Sequence, residues 1–157
     1  MNKDLSVMID DVKLNVRVGA IIRYQGKILV EKNKNVDFGV IPGGRIKTLE
    51  DTKIALYREI KEELGIELNT NNMNMISFIE NFFEFDNKKY HELYYVYEIE
   101  LDDSFDIYDG MSNMDNNDSR YYLLTKDEFK KDKILPEILK EVIDSKVFKN
   151  YIVNDLK

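Results

Sequence analysis

The apolar positions near the start of the chain follow a period of two. In residues 16–33, VRVGAIIRYQGKILVEKN, apolar side chains alternate with other residues on both sides of a Gln25-Gly26 step. This alternation is typical of half-buried strands, and a glycine-containing step between two such runs indicates a turn. The segment therefore predicts two strands joined by a turn.

A helical period follows from about Asp51 to Leu64. On a helical wheel with about 100° per residue, Tyr57, Ile60 and Leu64 share one side, which we expect to dock against the sheet. Thr48 and Asp51 resemble a capping box with Asp in place of the usual Glu or Gln. The glycine after Leu64 stands where a C-terminal cap is expected.

Two further strand patterns occupy the middle of the chain. Residues 75–85 and 91–101 predict an antiparallel pair, and their aromatic side chains are expected in the core or on the strand surface, with one or two as candidates for stacking on a base. Residues 102–120 form a polar, acidic stretch that predicts a long loop. A short strand, YYLLT, and a turn, KDEF, are expected after it.

The last predicted element is an amphipathic helix over residues 137 to about 149, opened by Pro136. The predicted order is thus strands, helix, strands, helix, with no internal repeat and no linker. This order favours a single domain over residues 1–157 and an α/β or α+β fold with a mixed sheet covered by helices.

The composition narrows the class of protein. The chain has 157 residues, 43% hydrophobic and 34% charged, and no cysteine, so we expect a globular domain without disulfides or thiolate metal sites. No apolar run is long enough for a membrane span, and the N-terminus lacks signal-peptide features, so a cytoplasmic protein is expected. The net charge of −7 argues against extended nucleic-acid binding, although single phosphates held through divalent cations remain compatible with it.

One face of the central helix concentrates negative charge. Glu59, Glu62 and Glu63 fall within about a third of the helix circumference, and each like-charged pair at this spacing costs about 0.2–0.5 kcal/mol. Ala55 lies on the same face one turn earlier and has a small side chain, so open space is expected beside the carboxylates. Arg58 lies one turn before Glu62 and is expected to brace a carboxylate.

Two explanations fit this acidic face. The first is a solvated helix surface. The second is a divalent cation site, because hard oxygen ligands suit Mg²⁺ or Mn²⁺, which bridge to substrate phosphates. The Gly43-Gly44 step just before the helix is compatible with the second explanation, since a backbone without Cβ atoms permits close approach of a metal or phosphate, but a Glu-rich helix face is more often a solvated surface.

The spacing of residues over a wider segment resembles the sequence signature of a known family. Gly44 is followed after five residues by Glu50, and after seven more by REIKEELGI, residues 58–66. This pattern resembles the signature of the Nudix hydrolases, with every fixed position filled. The leading strands, the FGVIPGG approach and the late YYLLTKDEF…LP segment are also similar to family counterparts, so the resemblance covers about residues 14–145.

The resemblance implies an α/β/α sandwich in which the helix and the preceding loop form the catalytic element. It also implies hydrolysis of a diphosphate bond in a nucleoside diphosphate linked to another group, with Mg²⁺ or Mn²⁺ as cofactor. Glu50 and Arg58 would form an orienting pair. The implied metal ligands are Glu59, Glu62, Glu63 and the carbonyl of Gly44.

The general base differs among members of the family that this chain resembles. It is either a helix glutamate or an acid on a later loop. Here Asp115 and Asp118 lie a few residues before RYYLL, and Asp115 is the stronger candidate. A plain turn residue is the structural alternative. Glu92 and Glu98 are weaker candidates.

The substrate is less defined than the reaction. Sequence markers of pyridine-dinucleotide, ADP-ribose, dinucleoside-polyphosphate and coenzyme A substrates are not visible, which leaves a nucleoside triphosphate or a small nucleotide-sugar. Two alternatives remain: a non-catalytic nucleotide-sensing domain, and an RNA 5′-end pyrophosphohydrolase. The resemblance also implies a possible homodimer, although no segment indicates an interface.

Overall fold

One mixed β-sheet contains most of the ordered backbone. The computed structural model describes residues 2–156. Its strands are β1 (Ser6–Ile9), β2 (Val12–Tyr24), β3 (Lys27–Asn33), β4 (Gly39–Val40), β5 (Gly43–Arg45), β6 (Asn74–Phe85), β7 (Lys88–Leu101), β8 (Met111–Asn113), β9 (Asn116–Leu124) and β10 (Lys149–Asn154). Its helices are α1 (Thr52–Leu64), α2 (Lys126–Lys131) and α3 (Leu139–Val142), with a 3₁₀ turn at Thr70–Asn72.

The long strand β2 organises the sheet. The main strand order is β10-β6-β7-β2-β3-β9-β8, while β1 and β5 also pair with β2, and β4 pairs with β3. β2 runs parallel to β7 over its whole length, and β10 runs parallel to β6. The other pairs are antiparallel. β5 pairs with residues 17–19 of β2, between the ends that pair with β1 and β3, so the short glycine-rich strand lies directly on the middle of the central strand.

Successive side chains of β2 enter two different cores, as the pleat of a strand requires. On one face, Val18, Ala20 and Ile22 pack with Leu56 and Ile60 of α1. On the other face, Ile21 packs with side chains of α2 and α3 that include Phe129, Leu139 and Val142. The helices therefore cover both faces of the sheet, and the α+β fold with a mixed sheet is confirmed. No helix within residues 2–156 is long and apolar enough to cross a membrane.

The predicted strand pairs are confirmed. β2 and β3 meet at a turn over Gln25-Gly26, where both residues have positive φ. β6 and β7 form the antiparallel pair predicted from residues 75–85 and 91–101, and they extend further toward a tight turn at Asp86-Asn87.

The predicted loop at residues 102–120 is partly wrong. Its second half forms β8 and the start of β9, which make a hairpin despite their polar composition. The predicted KDEF turn is also wrong, since it begins α2. Thr125 and Glu128 form a reciprocal capping box at the start of that helix, and Phe129 is fully buried against the sheet.

The predicted helix over residues 137–149 is mostly wrong. Only Leu139–Val142 is α-helical, and the chain then returns as β10 parallel to β6. Leu139, Val142 and Ile143 are buried, so the segment does present an apolar side to the core. The returning strand pairs its backbone with β6 and packs Tyr151 and Val153 on the second core.

The start of α1 differs from the predicted capping box. Asp51, not Thr48, is the N-cap, and its carboxylate accepts a hydrogen bond from the Ile54 N–H at 2.9 Å. Thr48 is exposed three residues earlier. At the other end, Gly65 adopts the left-handed conformation with φ of 70°, and its N–H donates to the Lys61 carbonyl. The C-terminal cap glycine is therefore confirmed.

We predict that Asp51→Ala lowers the free energy of unfolding by about 1 kcal/mol, because the first turn of α1 loses its side-chain acceptor. Thr48→Ala is the matched control and is expected to change the stability by less than about 0.5 kcal/mol. Urea denaturation followed by circular dichroism measures both values. A larger loss for Thr48→Ala than for Asp51→Ala would contradict the assignment of the N-cap.

Candidate active site

The three glutamates of α1 lie in three different environments. The side chain of Glu59 is 14% exposed and that of Glu62 is 44% exposed, whereas Glu63 as a residue is only 7% exposed. The expectation of open space beside the carboxylates at Ala55 is wrong, because Ala55 is fully buried with Leu56 in the first core. The acidic face therefore borders the side of α1 that packs on the core, and two of its three carboxylates are partly shielded from water.

Gly44 packs directly against the Glu59 carboxylate. A Cβ atom added at Gly44 would lie 2.5 and 2.7 Å from the two Glu59 oxygens, closer than van der Waals contact allows. Gly44 pairs with Val18 in the central strand, so its backbone is fixed by the sheet. The absence of a side chain at Gly44 thus creates a cradle for this carboxylate.

Arg58 ties several carboxylates together. Its Nε and one terminal nitrogen donate to the two Glu50 oxygens at 2.6 and 2.8 Å, a bidentate pair. The other terminal nitrogen donates to Glu59 at 2.8 Å and to Glu62 at 3.4 Å. Arg58 also donates to the Arg45 carbonyl at 3.1 Å, next to Gly44. The structure therefore brings together the sequence-predicted residues of the loop and the helix around one guanidinium.

Glu63 belongs to a second, buried group. The Tyr121 hydroxyl on β9 donates to Glu63 at 2.7 Å. The Asn113 amide lies 3.2 Å from that hydroxyl and donates to Glu31 of β3 at 3.2 Å. The backbone N–H of Met114 donates to the Glu63 carbonyl at 2.8 Å. The β8–β9 hairpin therefore holds both the side chain and the backbone of this helix residue.

The carboxyl groups in the two groups have pKa values shifted in opposite directions. The hydrogen bonds from Arg58 hold the pKa of Glu50 below its ordinary value. Burial raises the pKa of Glu63 well above its ordinary value, and the neighbouring charges of Glu31 and Glu59 act in the same direction, against the Tyr121 hydrogen bond. The site thus contains more negative charge than the surrounding cations compensate.

The residues present fit a divalent cation. Within residues 2–156, no three Asp, Glu, His or Cys side chains already converge as a finished metal site. Arg58 holds Glu59 and Glu62, and Tyr121 holds Glu63. Nevertheless, the candidate donors are carboxylate and carbonyl oxygens, which suit hard cations, and the Gly44 cradle keeps the region in front of Glu59 free of side-chain bulk.

The candidate general bases lie outside the Arg58 group. Asp115 occupies the turn of the β8–β9 hairpin, is exposed, and its N–H donates to the Asn113 side chain at 2.8 Å. Asp118 pairs instead with Lys34 at 3.1 Å on the far side of the hairpin. Of the two weaker candidates, Glu98 pairs with Arg23, and Glu92 is buried on the opposite face of the sheet from α1.

The sequence prediction omitted Glu31, Asn113 and Tyr121. A usable signal existed for Glu31, which follows Leu29 by two residues on β3 and therefore shares its inward face. An acid at an inward strand position indicates a buried partner or a site. No local signal marked Asn113, because its position depends on a hairpin that the polar composition concealed.

The chain is similar to known proteins over most of its length. The family model described as NUDIX domain matches residues 13–143. A search of curated protein sequences finds no significant match.

Solved structures share the fold over most of the chain. The MutT protein of Bacillus halodurans aligns with a TM-score of 0.69 at 15% identity, covering 91% of this chain and 93% of that one. The MutT NUDIX hydrolase of Burkholderia pseudomallei aligns with a TM-score of 0.62 at 23% identity, covering 81% and 95%. An ADP-ribose pyrophosphatase of Streptococcus suis aligns with a TM-score of 0.54 at 14% identity, covering 88% and 98%. At these identities, the likeness establishes the fold.

We predict that Tyr121→Phe lowers the free energy of unfolding of the metal-free protein by about 1–3 kcal/mol, because the buried Glu63 carboxyl loses a hydrogen-bond partner. Tyr122→Phe is the matched control on the same strand. The Tyr122 side chain packs on the other core, and its loss of a hydroxyl should cost less than about 0.5 kcal/mol. Urea denaturation in EDTA measures both. Equal stabilities of Tyr121→Phe and the wild type would contradict the hydrogen bond.

Proposed function

Because the chain belongs to the NUDIX family and is a pyrophosphohydrolase of that family, we propose that it depends on a divalent cation and cleaves a nucleoside diphosphate linked to another group. A nucleoside triphosphate or a small nucleotide-sugar is the proposed substrate type. The observation that carries the proposal is the contact between the Glu59 carboxylate and the bare Gly44 backbone, beside Glu62 and Glu63.

We propose that Glu59, Glu62 and Glu63 hold Mg²⁺ or Mn²⁺, together with the Gly44 carbonyl. When bound, such an ion neutralises diphosphate oxygens and activates a water molecule. The chain itself supplies the position of the ligands. The sheet fixes Gly44, and the hairpin fixes Glu63 through Tyr121.

Arg58 and Glu50 have a positioning role in this proposal. The bidentate pair anchors the guanidinium to the loop before α1, and the remaining nitrogen restrains Glu59 and Glu62. Glu62 is the most loosely held of the three glutamates, at 3.4 Å from Arg58 and with the most exposed side chain. It can therefore turn toward a cation at low cost in packing.

Asp115 is the proposed general base, and a helix glutamate is the alternative. The hairpin turn that carries Asp115 is attached to α1 by the hydrogen bond from Met114 to the Glu63 carbonyl. This attachment ties the hairpin turn to the backbone of α1 at Glu63. A base must lie within hydrogen-bond reach of the attacking water, directly or through one further water.

We predict that Glu62→Gln lowers the rate of nucleotide hydrolysis by about 100-fold or more, because one carboxylate charge for the cation is lost. The measurement uses a panel of nucleoside triphosphates and nucleotide-sugars with Mg²⁺ or Mn²⁺, and scores which phosphate-containing product appears. EDTA should abolish the activity, and added Mg²⁺ should restore it.

Glu67→Gln is the matched control, because Glu67 is an exposed residue just beyond α1 that pairs with Lys61 and not with Arg58. Its rate should equal that of the wild type. Absence of product from every nucleotide would overturn the proposed activity and favour a nucleotide-sensing role. Equal rates for Glu62→Gln and the wild type would overturn the site assignment.

A further inference from the structure

One edge of the β-sheet is uncovered. β10 is the last strand in the sheet order, and in the part of the chain that the structure describes its only strand partner is β6. The Asp155 N–H, one residue beyond β10, donates to the Phe82 carbonyl of β6. Successive residues of a strand direct their backbone groups to opposite sides, so Asn150, Ile152 and Asn154 direct their N–H and C=O groups to the free edge. All three residues are exposed.

This edge lacks the usual protection against strand pairing. Natural edge strands are commonly blocked by proline, by charged side chains along the strand or by a bulge. β10 contains no proline, its register with β6 is continuous, and its only charged side chain is that of Lys149 at the first position. Ile152, near the middle of the strand, is 69% exposed. The edge therefore offers unpaired backbone groups around an exposed apolar side chain.

The sequence of the edge is complementary to itself in reverse order. Residues 149–155 read KNYIVND, and Ile152 is their centre. A second copy that lies antiparallel about this centre places Ile152 opposite its own counterpart. The other opposed pairs are Lys149 with Asp155, Asn150 with Asn154, and Tyr151 with Val153. Opposite charges and matched apolar or amide side chains at opposed positions stabilise antiparallel strands.

The backbone groups select the same centre. Opposed residues of an antiparallel pair exchange hydrogen bonds only where both direct their groups across the junction. A centre at Ile152 meets this condition at all three outward-directed residues. A centre at Tyr151 or Val153 opposes only two of these residues to each other, and it also separates the Lys149 and Asp155 charges. The self-complementary register is therefore also the one that satisfies most of the free backbone groups.

Side chains on both faces of β10 fit this pairing. Tyr151 and Val153 pack on the second core within one copy. In the paired arrangement, Tyr151 of one copy adjoins Val153 of the other, so the second core continues across the junction. Ile152 lies on the other face of the strand, where its counterpart covers it. The contact thus removes from water the most exposed apolar side chain of β10.

We propose that β10 is a homodimer interface, through which two copies pair antiparallel about a two-fold axis at Ile152 and form one continuous sheet. The two-fold axis makes every contact away from the axis occur twice, including the Lys149–Asp155 charge pair. β6 and β7 separate β10 from β2, so the pairing takes place away from the Gly44 cradle. The inference is independent of the proposed function.

The first test is sedimentation velocity of the full-length protein from low micromolar to several hundred micromolar concentration. The wild type should shift from the monomer to the dimer mass over this range. Ile152→Lys should weaken dimerisation about tenfold or more, because each copy brings a positive charge to the axis. Met8→Lys is the matched control, since Met8 is an apolar residue on β1 that is 55% exposed and lies outside the β10 edge. It should leave the dimerisation constant unchanged.

Charge reversal tests the register. Lys149→Asp and Asp155→Lys should each weaken dimerisation about fivefold or more, because like charges then face each other on both sides of the axis. The double variant should regain the wild-type constant, since opposite charges are opposed again. The two residues lie at opposite ends of β10 within one copy, so a role in folding alone would not produce this rescue.

Amide hydrogen exchange of the wild type tests the same register without a substitution. The N–H groups of Asn150, Ile152 and Asn154 should be protected at concentrations where the dimer predominates, and should exchange rapidly after dilution. Those of Tyr151 and Val153 should stay protected at both concentrations, because they belong to the ladder with β6. This measurement keeps the inference testable if a variant fails to fold.

A wild type that stays monomeric at several hundred micromolar would overturn the inference and leave the edge to a strand of another protein. A dimer that Ile152→Lys leaves intact would place the contact elsewhere on the surface. A double charge variant as weak as the single variants, or rapid exchange of the Ile152 amide in the dimer, would also contradict the proposed pairing.

Discussion

The crowding of carboxylates on one helix face is the constraint on which the site depends. Glu59, Glu62 and Glu63 follow one another within two turns of α1, and two of them are largely shielded from water. Such charges persist in a fold only where cations or hydrogen-bond donors face them. Arg58 supplies the cation on the outer side, and Tyr121 supplies the donor on the inner side.

The central strand links this helix face to the rest of the molecule. β2 holds the glycine cradle along one edge and presents side chains to opposite faces at successive positions. Val18 therefore supports α1, while Arg17 points to the other face of the sheet. In our proposal, the same strand fixes Gly44 beside the ligands for the cation.

The features that were predicted from the sequence are those that depend on residues close together in the chain. The β2–β3 hairpin, the α1 cap glycine and the spacing from Gly44 to the helix each arise within a short segment. The burial of Glu63 required a strand that follows α1 by more than fifty residues, and β10 required pairing with β6 across a similar separation. Glu92 acquires its place only through the register of β7 with β2 and β6. Local periodicity contains no information on such contacts.

The most direct test of the central claim is an anomalous difference map from a crystal soaked in Mn²⁺. The account predicts a peak in contact with the Glu59 carboxylate and with Glu62, Glu63 or both, beside Gly44, while Arg58 remains paired with Glu50. A Mn²⁺ peak that contacts none of the three glutamates would contradict the account.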